Sequence, residues 1–307
     1  MIAMYNDDVE LMDFLLSHGC DINTELFGNG DTLLLYLFRG CNIFVPELDP
    51  KIKYAIEHGA DVNIKDKHKM TPLHLCSEGS VNTSVETLKL ILDNGADINA
   101  RDDKNYTPLY YACEVGQTDK AELLIKRGAD VNAQGDYGKT PLYRALLANR
   151  YAIVNLLLEN GADVNINTGH GVTLLHSFCQ SYSNEKAKLL LEHGADVNAQ
   201  DENGDIPLHY ACGHERVETV KLLLENGSDI NVKGEDGRTP LYYACKNGNL
   251  EIVKLLIDHG ANVNIKDEDG KTPLEYYRHH KPSKQPENPE IIKLLSKTLN
   301  SNSDESI

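Results

Sequence analysis

Asp236-Gly237-Arg238-Thr239-Pro240-Leu241-Tyr242-Tyr243-Ala244-Cys245-Lys246-Asn247-Gly248-Asn249-Leu250-Glu251-Ile252-Val253-Lys254-Leu255-Leu256-Ile257-Asp258-His259-Gly260-Ala261-Asn262-Val263-Asn264-Ile265-Lys266 decides the fold. Gly237 supplies a turn. Thr239 before Pro240 suits an N-cap and first helical position, because the hydroxyl accepts from free amides and proline has no amide to leave unpaired. Leu241, Ala244 and Cys245 give a short helix one apolar face. Asn247-Gly248-Asn249 turns the chain. Leu250 to Ile257 has the spacing of a second amphipathic helix, and Gly260 is placed for a left-handed stop. The unit is therefore helix, turn, helix and an extended finger, and it cannot bury its apolar face alone.

Its phrases return along the chain. Thr-Pro-Leu-His/Tyr recurs at Thr71, Thr107, Thr140 and Thr239, with looser copies at Thr173, Ile206 and Thr272. Gly-Ala-Asp-Val-Asn or a close variant begins at Gly19, Gly59, Gly95, Gly128, Gly161, Gly194, Gly227 and Gly260, at a constant spacing of 33 from Gly95 onward. A fixed period of this size predicts a stacked solenoid whose core grows in one dimension, and solenoids are mostly surfaces for holding other macromolecules. Seven of the eight Gly-Ala-Asp-type phrases carry Asp at one place and Asn262 fills the eighth, which predicts a turn-forming role.

The two phrases, their order and their period closely resemble the ankyrin repeat family over about residues 1–299. The resemblance implies an all-α repeat solenoid: an array of about eight helix-turn-helix units with β-hairpin fingers. The expected organisation is a partial repeat over 1–31, the array over 32–299 and a polar, disordered tail over 300–307. Aligned back from Gly19, the chain starts inside a repeat, so it is either a fragment or begins on a half-repeat cap; Asp8 to His18 is the expected second helix there. Seven extra residues lie near Cys41 to Pro50, where Pro46 and Pro50 are expected to break any helix. Three more lie around Ser80 to Ser84, and the segment from Lys281 to Pro289 lengthens the last turn.

In the family the Thr and His of the first phrase share a structural hydrogen bond. His74, His176 and His209 match it. Tyr110, Tyr143, Tyr242, Glu275 and Leu35 depart, which puts that bond in doubt in their repeats. The resemblance also carries partner contacts onto finger tips and the exposed side of the first helix. These are Asp103, Lys104, Tyr106, Glu114 and Val115; Asp136, Tyr137, Lys139 and Leu147; and His170, Val172 and Gln180. Further along they are Glu202, Asn203, Asp205 and His214; Glu235, Asp236, Arg238, Lys246 and Asn247; and Glu268, Asp269, Lys271, His279 and His280. Tyr106 and Tyr137 are either hot-spot anchors or packing between neighbouring fingers. Lys65, Lys67, Lys69, Arg101 and Lys104 cluster early, while Glu202, Asp205, Glu235, Asp236, Glu268 and Asp269 dominate later. This charge gradient either orients an extended partner or is a solvated surface.

The net charge of −17 argues against nucleic acid, whose phosphates it would repel. No apolar run approaches a membrane span, and the first residues turn acidic before any signal-peptide core forms. Seven cysteines without a Cys-x-x-Cys read as reduced packing thiols, four of them (Cys113, Cys179, Cys212 and Cys245) at one repeat position. That predicts a cytoplasmic or nuclear protein with no metal and no cofactor. No nucleotide-binding, hydrolase or metalloprotease motif is present. The expected function is a monomeric, non-catalytic scaffold or adaptor for a protein partner. The alternative is the targeting part of a larger enzyme assembly, such as the substrate receptor of a ubiquitin ligase.

Overall fold

The computed structural model describes residues 16–25, 31–39, 48–79, 83–182, 184–279 and 288–301. Among them are sixteen α-helices in eight pairs. Residues 1–162 form one compact unit and residues 163–307 another. In the first unit the leading helices of each pair are Leu33–Arg39, Pro72–Glu78, Pro108–Val115 and Pro141–Leu147, and the following ones are Leu48–Glu57, Val85–Asp93, Thr118–Lys126 and Tyr151–Glu159. In the second unit the leading helices are Leu174–Cys179, Pro207–Gly213, Pro240–Asn247 and Pro273–His279. Their partners are Glu185–Glu192, Val217–Glu225, Leu250–Asp258 and Pro289–Ser301. Within each unit, leading helices stack on leading helices, following helices stack on following helices, and each pair packs together.

The starts and stops follow the sequence. Proline occupies the first helical position after Thr71, Thr107, Thr140, Ile206 and Thr239, and the Thr140 hydroxyl accepts from the Tyr143 amide at 3.1 Å. Pro50 departs from expectation. It lies in the first turn of Leu48–Glu57, where a missing amide costs no helical hydrogen bond, so it is built into a helix. The final helix runs to Ser301, two residues past the expected end. Most of the partial repeat over 1–31, the segments 41–47, 80–82 and 281–287, and residues 302–307 of the tail lie outside the described residues.

The core is narrow and continuous inside each unit. Leu109, Ala112, Cys113, Leu142, Ala145 and Leu146 are fully or almost fully buried, as are Leu208, Ala211, Cys212, Leu241, Ala244 and Cys245. Every described cysteine is a free thiol and all but Cys20 are buried. Burial pushes the thiols of Cys113, Cys179, Cys212 and Cys245 well above their ordinary range, so they pack as small neutral groups. Among the described residues one cation enters this layer. Lys120 is 4 % exposed and its Nζ donates to the Cys76 carbonyl at 2.7 Å and to Thr83 Oγ1 at 3.0 Å. It ties the end of one helix to the segment of the three-residue insertion, and its desolvation lowers its pKa.

Neighbouring repeats are clamped by asparagine. The Asn63 carboxamide donates from Nδ2 to the Gly95 carbonyl at 3.0 Å and accepts the Asp97 amide at 2.8 Å. The same pair of bonds joins Asn23 to Gly59 and Asp61, Asn165 to Gly194 and Asp196, and Asn198 to Gly227 and Asp229. The Asp of each phrase steadies the clamp: Asp61 Oδ1 accepts the Asn63 amide at 2.8 Å. Asn262 does this with its own amide oxygen, at 2.9 Å from the Asn264 amide. The recurring Asp is thus a turn former. Each phrase begins with a glycine in the left-handed region, from Gly194 at φ 82° to Gly128 at φ 94°, where a side chain would be strained.

A second bridge comes from the His column. Nδ1 of His74 accepts the Thr71 amide at 3.1 Å, and its Nε2–H donates to the Tyr106 carbonyl of the next finger at 3.1 Å. His176 reaches Asp205 and His209 reaches Arg238 in the same way. The doubt resolves at two of the five departures. The Tyr242 hydroxyl donates to the Lys271 carbonyl, the matching place on the next finger, and to Ile265. Glu275 accepts the Thr272 amide at 2.8 Å and the Thr272 hydroxyl accepts the Glu275 amide at 3.3 Å, a capping box.

Two outcomes follow from these bridges. Asn198→Ala should lower unfolding free energy by about 1–2 kcal/mol, the net worth of two partly exposed hydrogen bonds. Asn226→Ala, which loses a bond only to its own helix at Leu222, should stay within about 0.5 kcal/mol in the same urea titration. Burial depresses the His209 imidazole from 6.5 to about 4. The unfolded chain therefore binds the proton first, so this site's contribution is intact above pH 6.5 and is lost as pH falls toward 4. The loss is about 3 kcal/mol at the acid end. Denaturation curves of His209→Tyr should show a shallower decline over that window than the parent.

Candidate functional site

Each finger is a tight turn closed by one backbone bond across its base. Examples are the Asp102 amide to the Tyr106 carbonyl at 3.2 Å and the Gly234 amide to the Arg238 carbonyl at 2.8 Å. The fingers carry almost no β-ladder. The only bridge among the described residues pairs Asn167 with Thr173, because the arms are too short for more. Adjacent tips are stitched by backbone bonds of 2.9–3.0 Å from Asp103 to His68, Asp136 to Lys104, Glu202 to His170 and Glu268 to Asp236.

Apart from the finger based on Thr168, what stands at the base sorts the fingers into two kinds. Where it is Asp, the carboxylate organises the turn: Asp102 Oδ1 accepts the Lys104 and Tyr106 amides, and Asp201 Oδ1 accepts those of Asn203 and Asp205. Where it is Gly135 or Gly234, the turn tightens into a single 3₁₀ turn, Asp136–Gly138 or Glu235–Gly237. These glycines are required by the preceding finger. A Cβ on Gly135 would lie 2.1 Å from the Tyr106 ring, and one on Gly234 would lie 1.8 Å from Asp205 Oδ1. The tight turns place Tyr137 and Asp236 at φ 57°.

The expected contact residues therefore divide. Tyr106 is half-buried. It stacks on Tyr110 at 4.0 Å between ring centroids and lies over Gly135, so it packs between fingers. Tyr137 is 77 % exposed, with Lys139 Nζ 5.5 Å above its ring. Asp205 is a correction to its place among the exposed contacts. It is 8 % exposed, because the absent side chain at Gly234 lets its carboxylate turn inward to accept the Glu235 amide at 3.2 Å. The 3.8 Å approach of His209 Nδ1 to Asp205 is no ion pair, since that nitrogen accepts the Ile206 amide at 3.0 Å and burial keeps the ring neutral.

Several others are held by neighbours. Glu114 pairs with Arg144, Asp103 approaches His68 at 3.4 Å, and His170 approaches Glu202 at 2.9 Å. Arg238 pairs with Asp236 at 2.9 Å and Lys271 with Asp269 at 3.3 Å. His214 Nδ1 lies 3.1 Å from the Tyr210 carbonyl. Lys104, Asn203, Glu235, Lys246 and Glu268 are exposed, whereas Asp136, Lys139, Val172, Gln180 and Asn247 are partly covered. In the first unit Val115 and Leu147, at the ends of successive leading helices, add exposed apolar surface. His280 lies outside the described residues.

One row went unread in the sequence. Tyr111, Tyr210 and Tyr243 follow the His/Tyr column and line the finger side of the leading helices, half-exposed. Their hydroxyls reach finger carboxylates: Tyr111 to Asp102 at 2.5 Å, Tyr210 to Asp201 at 2.7 Å and Tyr243 to Asp205 at 3.4 Å. Burial, then those carboxylates, raises the phenol of Tyr111 and Tyr210. The 33-residue recurrence from 210 to 243 to 276 was the available signal. Among the described residues no group of three or more His, Cys, Asp or Glu side chains can hold a metal ion, and no helix is long and apolar enough to cross a membrane.

The model for "Ankyrin repeats (3 copies)" matches residues 1–102, 80–168 and 165–234, and that for "Ankyrin repeats (many copies)" matches 223–276. No curated protein matches the chain. Among solved structures, the human ASB11 ankyrin repeat domain is similar at 28 % identity and a TM-score of 0.59, over 75 % of this chain and 98 % of that one.

The two kinds of finger are testable by a mutant cycle. Gly135→Ala should destabilise the protein by about 1–3 kcal/mol through overpacking against Tyr106. Tyr106→Ala combined with Gly135→Ala should cost less than the sum of the single changes by about 1 kcal/mol, read as coupling in urea denaturation.

Proposed function

The chain belongs to the ankyrin repeat family, and on that premise we propose that it is a non-catalytic scaffold holding a protein partner on its finger tips and leading-helix faces. The observation that carries this reading is Tyr137. A bulky residue with a left-handed backbone is a conformational outlier, and such strain persists where surrounding structure over-determines it. The turn sets that backbone, as it does at Asp236 and His170, but the tyrosine side chain itself serves no packing, because the ring is 77 % exposed. An exposed aromatic with a lysine over its face is typical interface chemistry. The finger that carries it is stitched to its neighbour by the Asp136 amide, so little ordering remains to be done on binding.

A partner would meet Tyr137 with Lys139, then the exposed apolar ends at Val115 and Leu147, within the first unit. No reacting constellation is needed: the carboxylates repeat with the architecture and their inner members are committed to turn amides.

Affinity capture with mass spectrometry tests this, comparing the parent with Tyr137→Gly. Relief of the positive φ should raise stability by about 0.5–1 kcal/mol, while loss of the anchor should weaken partner capture about tenfold or more. Equal capture by a stabilised variant would remove Tyr137 from the interface. Co-capture of ubiquitin-ligase subunits would place the same binding act in a targeting role within a larger assembly.

A further inference from the structure

The repeat period gives an internal comparison between two neighbouring recesses of the second unit. In the later one, Arg238 occupies the last place of its finger. Its guanidinium lies 4.9 Å from the centroid of the Tyr276 ring and 2.9 Å from the Asp236 carboxylate. A cation there is held between a tyrosine face and a finger-tip acid, both supplied by the protein itself. Thirty-three residues earlier, Asp205 stands where Arg238 does, and Tyr243 stands where Tyr276 does. The tyrosine is present, Asn203 stands where Asp236 does, and the cation is replaced by an acid.

The cation nearest that earlier recess is Arg238, which acts on the Tyr243 phenol but is itself paired with Asp236 and laid on the Tyr276 ring. Asp205 is 8 % exposed and receives only the Glu235 amide at 3.2 Å and the Tyr243 hydroxyl at 3.4 Å. Asp201 and Glu235 stand beside it. Burial first, and then these like charges, lift the Asp205 carboxyl to about 6. Among the described residues no lysine or arginine pairs with Asp201, Asp205 or Glu235. Glu235 is exposed, and the Tyr243 ring is half-exposed beside it.

The later recess adds an independent sign. Asp102 Oδ2 and Asp201 Oδ2 each accept a hydroxyl from the tyrosine nine residues on. Asp267 is 6 % exposed and its Oδ1 accepts the Lys271 amide as its counterparts do, but its Oδ2 has no partner. A buried carboxylate oxygen on the side facing the leading helix is left as an acceptor, next to the exposed tip acid Glu268.

We infer that the Asp205–Glu235–Tyr243 recess takes a lysine or arginine side chain from an extended basic segment of a protein partner. This rests on the reading of the fingers and leading helices as a protein-binding face, and adds the chemistry of what they hold. An incoming cation gains the two carboxylates and the tyrosine face together. It also neutralises the acids whose mutual repulsion the fold otherwise carries. The Asp267 oxygen and Glu268 offer the next basic side chain of the same segment a second contact.

Fluorescence anisotropy of the full chain with a labelled (Gly-Gly-Arg)₄ peptide at near-physiological salt tests the recess. Saturable one-to-one binding is expected, absent for (Gly-Gly-Glu)₄. Glu235→Gln should weaken it about three- to tenfold, and Tyr243→Leu by a similar factor, while Tyr243→Phe keeps the ring and most of the affinity. The pair Glu218→Gln and Glu225→Gln, on a following helix, should leave binding unchanged; matched melting curves show which variants remain folded. Non-saturable binding, or equal weakening by the following-helix pair, would overturn the inference in favour of diffuse attraction to an acidic protein. Peptide failure alongside Tyr137-dependent partner capture removes the recess alone. Peptide binding without any captured partner instead removes the scaffold reading in the first unit.

Discussion

Everything else in the structure depends on one side-chain amide per repeat. The clamp asparagine donates to a carbonyl and accepts from an amide of the following phrase, as Asn63 does to Gly95 and Asp97. No repeat has a core of its own, so a helix pair is stable only when its neighbour covers it. Apolar contact supplies most of that stabilisation but little register, since hydrophobic surfaces are non-directional. The carboxamide supplies register. It fits one phrase at one offset, and the left-handed glycine that opens the phrase presents its carbonyl to it. Where Asp gives way to Asn262 the clamp persists, because the job requires an oxygen and no charge.

Register is passed from the clamp to the fingers through the His/Tyr column. The histidine spends one ring nitrogen on its own helix start and the other on the next finger, so helix and finger cannot move separately. Tyr242 keeps only the second function. A neutral imidazole is needed for both bonds, and burial enforces it. The finger tips are then fixed before any partner arrives, which lowers the ordering cost of binding. Stability is sacrificed at left-handed residues such as Tyr137 and Asp236, and in the second unit at the acid-filled recess around Asp205.

Much of the fold could be read from spacing: the 33-residue period, the Thr-Pro helix starts and the glycine stops each have a local cause. The parts that could not be read are those in which one finger dictates the next. Gly135 is explained only once the Tyr106 ring is seen above it, and Gly234 only once Asp205 is seen turned inward. The same cause buried Asp205, which its position alone marked as exposed. Pro50 was misread because a helix breaker inside a helix is harmless in the first turn. For the candidate site, the tips are an expectation from family likeness, while the tyrosine row at 111, 210 and 243 was passed over. Its role shows only once the hydroxyls are placed on finger carboxylates.

The central claim is that the fingers are preformed by bonds between repeats. Native-state hydrogen exchange of the free protein measures this at the amides of Asp103, Asp136, Glu202 and Glu268, each bonded to the preceding finger. The account predicts that these exposed-loop amides exchange far more slowly than an unstructured chain, with opening free energies close to those of the leading helices in the same unit. Exchange at near-unprotected rates while the helices remain protected would contradict it, and would mean that the fingers take shape only on the partner.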